Sequence, residues 1–297
     1  MSQLAKVFGS TRPNFLVLTP MCVLLGAGAA QFTHGPVDWA TFALALLGGL
    51  LAHASVNLLN EYEDYSSGLD AMTERTPFSG GTGILPANPD VAPMTRLAGI
   101  ATLAGTAAIG IYFTARHGMG LLPLGLLGCV VIAAYTSRIT HSWIACLIAP
   151  GLGFGPLMVM GTAFVLTGEY TPVAFAASLT PFFLVSNLLL LNQFPDVEPD
   201  RRVGRRHLLV VGGPKTAARV YVLFLALAFI VPVGAIVAGY LPAWAALGLV
   251  PGVLVPVLAT KVLSNAEHLE SLLPALGLNV VLCLITPLLL AIGLFLA

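Results

Sequence analysis

Charge is scarce in this chain. Of its 297 residues, 13 are basic and 13 acidic, 9% in all, where a soluble domain carries about 25%. The two signs cancel to a net charge of zero, which excludes a surface built on global basicity, so no nucleic-acid partner is expected. Cysteine is sparse as well. Cys22, Cys129, Cys146 and Cys283 lie far apart with no CxxC pair, so neither a zinc site nor a disulfide framework is indicated. What is abundant is apolar side chain, 57% of the residues, in runs long enough to cross a bilayer. The chain reads as an integral, multi-pass membrane protein.

A window of about 20 residues, the length of a membrane-crossing helix, places nine spans. They lie near 14–33, 37–60, 94–115, 118–136, 142–167, 172–193, 217–239, 241–262 and 272–296. The expected fold class is therefore all-α, nine transmembrane helices in a single domain over 1–297, with polar loops near 61–93 and 194–216. Lys6 and Arg12 ahead of an apolar run ending in Ala27-Gly28-Ala29-Ala30 have the outline of a signal peptide. Membrane helices fill the rest of the chain, so the run is taken as the first span. With the N-terminus cytoplasmic, the inner segments hold Lys6, Arg12, Arg75, Arg96, Arg138, Arg201, Arg202, Arg205, Arg206, Lys215, Arg219 and Lys261, leaving only Arg116 outside. The positive-inside rule supports that orientation and puts the C-terminus on the opposite side.

The little charge there is falls in two places. Residues 61–75 hold Glu61, Glu63, Asp64, Asp70, Glu74 and Arg75; residues 196–206 hold Asp196, Glu198, Asp200, Arg201, Arg202, Arg205 and Arg206. The two stretches match. Asn60-Glu61-Tyr62-Glu63-Asp64 follows span two and Asn192-Gln193-Phe194-Pro195-Asp196 follows span six. A repeat four spans apart predicts two related four-helix units that bring two acidic helix ends around one cavity. Asn57, Asn60 or Glu61, and Asp64 share one helical face, as do Asn192, Asp196 and Asp200. Pro195 is expected to kink the second unit, and Gly68 to stop the first helix and leave Asp70 at the head of the loop.

Facing carboxylates repel and are costly beside a low-dielectric core unless a cation joins them. Carboxylate and amide oxygens suit Mg²⁺ rather than Zn²⁺, and arginines grip phosphate with two donors at once. The combination points to a phosphorylated substrate bridged to the protein by metal, with the site near the cytoplasmic face. Aromatic residues beside the acidic groups, Tyr62, Phe194 and Tyr135, either shield a cation or pack. His53, one turn from Asn57, is expected to be a buried, hydrogen-bonded histidine.

These residues give the chain its resemblance to the UbiA superfamily of intramembrane prenyltransferases. Asn57 through Asp64, with Gly68-Leu69-Asp70, resembles that family's first aspartate-rich motif. The step from Asp64 to Asp70 is most similar to the dihydroxynaphthoate branch, which serves quinone synthesis. Arg75-Thr76-Pro77-Phe78-Ser79-Gly80 resembles the element that follows it, and Asp196-Val-Glu-Pro-Asp200 with Gly204-Arg205-Arg206 resembles the second motif. Arg12-Pro13 also has the look of the family. The resemblance implies a nine-helix bundle and two Mg²⁺ ions held by Asn60, Glu61, Asp64, Asp70, Asp196 and Asp200. Asp64, Asp196 and Asp200 would be catalytic, with Asn57, Arg75, Tyr135, Arg138, Asn192, Arg205, Arg206 and Lys215 contacting substrate. It implies a prenyl diphosphate donor and a lipophilic acceptor in the bilayer. A terpene cyclase that ionises the same diphosphate without an acceptor is the alternative; a transporter is disfavoured because the charges cluster at one membrane face.

Two departures stand out. Glu61 occupies a position where the family usually has aspartate. The segment His141-Ser142-Trp143-Ile144-Ala145-Cys146 has neither the arginine nor the glutamate of naphthoate-type members. Without them a buried anionic acceptor goes uncompensated, so dihydroxynaphthoate is expected to be a poor acceptor and a more neutral one, or none, is expected instead.

Overall fold

The structure, a computed structural model, describes residues 2–76 and 79–297. In lipid every backbone amide must be satisfied within the protein, and a helix does this within its own segment. The described residues are accordingly helical, with no strand among them. An amphipathic helix α1 (Gln3–Ser10) precedes α2 (Pro13–His34), α3 (Trp39–Ser66), α4 (Pro89–His117), α5 (Met119–Ala134), α6 (Trp143–Thr167) and α7 (Pro172–Asn192). A short α8 (Val197–Arg202) leads to α9 (Leu208–Val237), α10 (Ala243–Ser264) and α11 (Leu269–Phe295). Eight of these are long and apolar enough to cross a membrane. The ninth expected span is α5, whose 16 residues reach about 24 Å against a hydrocarbon core of about 30 Å.

Helix ends follow local chemistry. Asp38 caps α3 by accepting from Ala40 N at 3.1 Å, and Thr171 caps α7 by accepting from Ala174 N at 3.1 Å. The first acidic segment does not end its helix: α3 runs six residues past the apolar stretch to Ser66, because Asn60 to Asp64 carry no breaker. Gly68, at φ 78°, then turns the chain. The second segment does end its helix, since Pro195 supplies no amide hydrogen and disfavours a helical residue before it. Gly213 (φ 75°) ahead of Pro214 bends the start of α9.

The acidic helices differ in their surroundings. α3 packs most extensively on α4, whereas α7 packs most extensively on α6 and next on α9, while α11 lies against α2 and α10. Small residues permit close approach where lipid offers no hydrophobic drive; a methyl at Gly28 of α2 would meet the Ala291 carbonyl at 3.0 Å. Leu184, Val185, Leu191, Tyr221, Leu225, Leu276 and their neighbours form the main buried cluster, centred on α7, α9 and α11. Helices α3 to α5 are looser, and the space between them and this cluster is the cavity.

Candidate active site

The far ends of α3 and α7 meet at one end of the bundle, around the mouth of a cavity of about 700 Å³. Asn57, Asn60 and Asp64 of α3 line it, with Asp70 in the turn beyond. So do Asn192, Asp196, Asp200 and Arg205 from the second stretch, and Tyr135 at the end of α5. Deeper in, the walls turn apolar: Ala52 and Val56 of α3, Ile109 of α4, Leu124 of α5, Phe154 and Leu157 of α6. Two motifs far apart in sequence thus share one polar rim above one apolar chamber.

The carboxylates on that rim are unequal. Arg205 pairs through Nη2 with Asp64 and donates through Nη1 to Asp200 Oδ1 at 2.9 Å, with 13% of its side chain exposed. Asp200 Oδ2 shares a further hydrogen bond of 2.9 Å with His207 Nε2. Asp64 and Asp200 are therefore buried but compensated, the condition under which buried charge is tolerated. Asp70 Oδ2, Asp196 Oδ1 and Asn192 Oδ1 are buried with no hydrogen-bond partner. Burial pushes the Asp70 carboxyl up to about 7, and Asp64 and Glu61 add to the effect. Burial and Asp200 raise Asp196 to about 7 as well, against the pull of Arg205 and a hydrogen bond from the Gly80 backbone.

An orphaned buried oxygen costs about 1–3 kcal/mol, and more when charged. Here one orphaned carboxylate oxygen comes from each motif. The donors are hard oxygens, which suit Mg²⁺. Among the described residues no three Asp, Glu, His or Cys converge on a closed metal cage. Mg²⁺ generally uses one or two carboxylates and completes its shell with water and phosphate oxygens.

Other expected residues lie elsewhere. Glu61 is fully buried and does not itself line the chamber; it pairs with Arg12 and Thr82, which do. Arg75 is exposed, and its guanidinium lies against Gly83, where a Cβ would overlap it. Pro77 and Phe78 of the same element lie outside the described residues. Arg138 and Arg206 are both exposed, and the Arg206 backbone amide donates to the carbonyl of Thr140, a cavity-lining residue, at 3.0 Å. Lys215, carried outward by the bend at Gly213, pairs with Glu267 at 2.9 Å on the surface. Phe194 packs into the main core, and Tyr62 lies under the Arg96 guanidinium, 5.3 Å from its ring centroid. His53, in contrast, lines the cavity, buried and within 2.9 Å of Thr19 Oγ1.

The structure adds Arg12, His207 and residues Ser79 to Gly81 to the cavity lining. Arg12-Pro13 was visible in the sequence as a pair, but nothing local ties it to residues 48 and 49 positions away.

Residues 19–272 match the model of the UbiA prenyltransferase family. The chain is 29% identical to 1,4-dihydroxy-2-naphthoate octaprenyltransferase of Bacillus subtilis (strain 168), over 79% of this chain and 74% of that one. With the protein of that name from Escherichia coli (strain K12) it shares 26% identity, over 71% and 69%. Its fold is similar to the solved structure of a UbiA homolog from Archaeoglobus fulgidus bound to DMAPP and Mg²⁺. That match has a TM-score of 0.60 and 15% identity, covering 98% of this chain and 99% of the other.

Proposed function

This chain belongs to the UbiA prenyltransferase family, and from that premise we propose that it moves an isoprenyl group from an allylic prenyl diphosphate to an aromatic acceptor within the membrane. The observation that carries the reading is the pair of orphaned aspartate oxygens, one per motif, above a chamber of apolar walls. The DMAPP and Mg²⁺ bound to the Archaeoglobus fulgidus homolog support it.

Asp70 and Asp196, with Asp64, Asp200, Asn60 and Asn192 beside them, would hold two Mg²⁺ ions. Bound there, Mg²⁺ would neutralise the diphosphate as charge builds on it. Asp64 and Asp200 hold Arg205 at the rim, where its guanidinium can turn to phosphate oxygens. The apolar walls take the prenyl chain and keep water from the allylic carbon once its bond to oxygen breaks. A carbon of the acceptor then forms the new bond and gives up its proton. The basic residues around the rim support a cytoplasmic position for this end of the bundle and for the N-terminus.

The acceptor is a neutral aromatic. Among the described residues the cavity is lined by two arginines; Arg12 is paired with Glu61, and Arg205, held by Asp64 and Asp200, serves the diphosphate, so neither is left for an acceptor carboxylate. The names of the two curated relatives argue the other way, and one assay decides. Purified protein is incubated with prenyl diphosphates of several lengths, with Mg²⁺ or EDTA, and with dihydroxynaphthoate, 1,4-dihydroxynaphthalene or no acceptor. The expected result is a prenylated product that needs Mg²⁺ and favours dihydroxynaphthalene. Full activity in EDTA removes the metal from the reading, efficient prenylation of dihydroxynaphthoate overturns the neutral acceptor, and a hydrocarbon formed without acceptor assigns a cyclase instead.

A further inference from the structure

Glu61 is the fully buried acidic residue of the first motif that does not line the chamber. Its carboxylate is fully engaged. Arg12 donates to Oε2 through Nη2 at 3.0 Å and through Nε at 3.3 Å. Thr82 donates through its amide at 3.1 Å to Oε1 and also through its hydroxyl. The same Arg12 Nη2 donates to Asn60 Oδ1 at 3.0 Å, which leaves Asn60 Nδ2 to donate to Thr136 Oγ1 at 3.1 Å. One turn earlier on α3, Asn57 Nδ2 donates to the Thr11 carbonyl at 2.8 Å. The segment between α1 and α2 is thus tied to two successive turns of α3.

Arg12 is held in this place at a backbone cost. Its φ of 55° is the one left-handed value at a non-glycine among the described residues, a conformation that costs about 1–2 kcal/mol. Such strain persists where the surroundings over-determine it and often accompanies function. Thr82, the other arm of the network, closes the run Ser79-Gly80-Gly81-Thr82. Gly80 donates its amide to Asp196 of the second motif. Gly81, at φ 68°, lies against Asp70 of the first, where a Cβ would come within 3.0 Å of Oδ1. This short glycine loop therefore touches both orphaned aspartates and is moored at Thr82.

We propose that the buried Arg12–Glu61 pair is a brace that moors the 79–82 loop across the two aspartates, making Arg12 and Glu61 positioning residues. The proposal rests on the prenyl-transfer reading only for what the aspartates do. Glu61 then serves the loop and not the metal, and its longer arm, where the family usually has aspartate, spans from α3 to both Arg12 and Thr82.

The test compares Arg12→Ala, Glu61→Gln, the double variant and Thr82→Val, the last removing one hydroxyl and sparing the ion pair. Hydrogen–deuterium exchange is followed across residues 79–88 in the full-length protein in EDTA, a measurement that does not depend on turnover or on the identity of the substrate. The brace predicts at least tenfold faster exchange of that segment in Arg12→Ala and Glu61→Gln, a smaller rise of the same sign in Thr82→Val, and no further rise in the double variant, since partners in one network are not additive. In activity assays kcat falls while the Mg²⁺ concentration giving half-maximal rate stays within twofold, and Arg12→Lys recovers part of the loss. Unchanged exchange in both Arg12→Ala and Thr82→Val overturns the brace. So does a tenfold higher Mg²⁺ requirement in Glu61→Gln with normal loop exchange, because that is the behaviour of a metal ligand. If no prenyl diphosphate is turned over at all, the exchange result still decides the brace and only the functional reading fails.

Discussion

Asp64 lies inside an unbroken helix, whereas Asp196, at the matching place in the second stretch, sits in a turn beyond the end of one. The difference traces to one residue. Where the first motif has Glu63 the second has Pro195, which cannot donate a helical hydrogen bond. α3 therefore carries Asp64 on a rigid face toward Arg205, and α7 stops at Asn192. After the break Asp196 accepts from Gly80 and keeps one oxygen unpartnered, while Asp200 is returned to Arg205 and His207 by α8. Equal sequence patterns thus hold unequal carboxylates. Asp64 and Asp200 are neutralised within the protein, and Asp70 and Asp196 are left for something else.

The largest expected effect separates the two classes directly. Asp64→Asn and Asp196→Asn should each lower turnover about a thousandfold, or about 4 kcal/mol on the barrier. Their thermal midpoints in EDTA should move in opposite directions. Removing charge from Asp196 relieves a carboxylate that burial already disfavours, so that variant holds or gains stability. Asp64→Asn leaves Arg205 half-paired and loses about 1–3 kcal/mol. Midpoints that shift together would break the comparison.

A pH titration sharpens it. Asp70 and Asp196 are raised to about 7, so at pH 6 both are mainly protonated and poor ligands. The Mg²⁺ concentration for half-maximal activity should rise about tenfold from pH 8 to pH 6. The sign for stability is the reverse of the usual carboxylate. Their contribution to folding is complete below the unfolded value near 4 and disappears as pH rises through about 7. In EDTA the thermal midpoint should therefore fall between pH 5 and pH 8, and added Mg²⁺ should restore most at pH 8. A midpoint independent of metal at pH 8 would remove these two aspartates from the metal site.

The smallest effect concerns the break itself. Pro195→Ala lifts a helix penalty of about 3 kcal/mol, lets α7 extend, and swings Asp196 away from Gly80. Activity should fall about fivefold, with a raised Mg²⁺ requirement and little change in midpoint. Full activity would mean that the turn is held by Gly80 and Arg205 and not by the proline.

Much of this was legible without coordinates. The spans read at 142–167 and 172–193 became Trp143–Thr167 and Pro172–Asn192, because length and apolarity in lipid are local properties that no distant contact overrides. The stop at Gly68 followed in the same way from a backbone preference. The lining by Asn57, Asp64, Asp196 and Asp200 was readable too, since helical spacing puts such residues on one face. What composition and spacing could not carry was partnership. Arg205 was one of four arginines in a loop until the fold set it against Asp64, 141 residues away, and Glu61 was one more acidic residue until Arg12 and Thr82 closed around it. Each pairing depends on where separate helices end in space and on the charge left buried there. The sequence by itself determined a membrane bundle with two acidic helix ends, and the tertiary structure alone decided which acids are paired, because buried charge is settled by neighbours that only packing supplies.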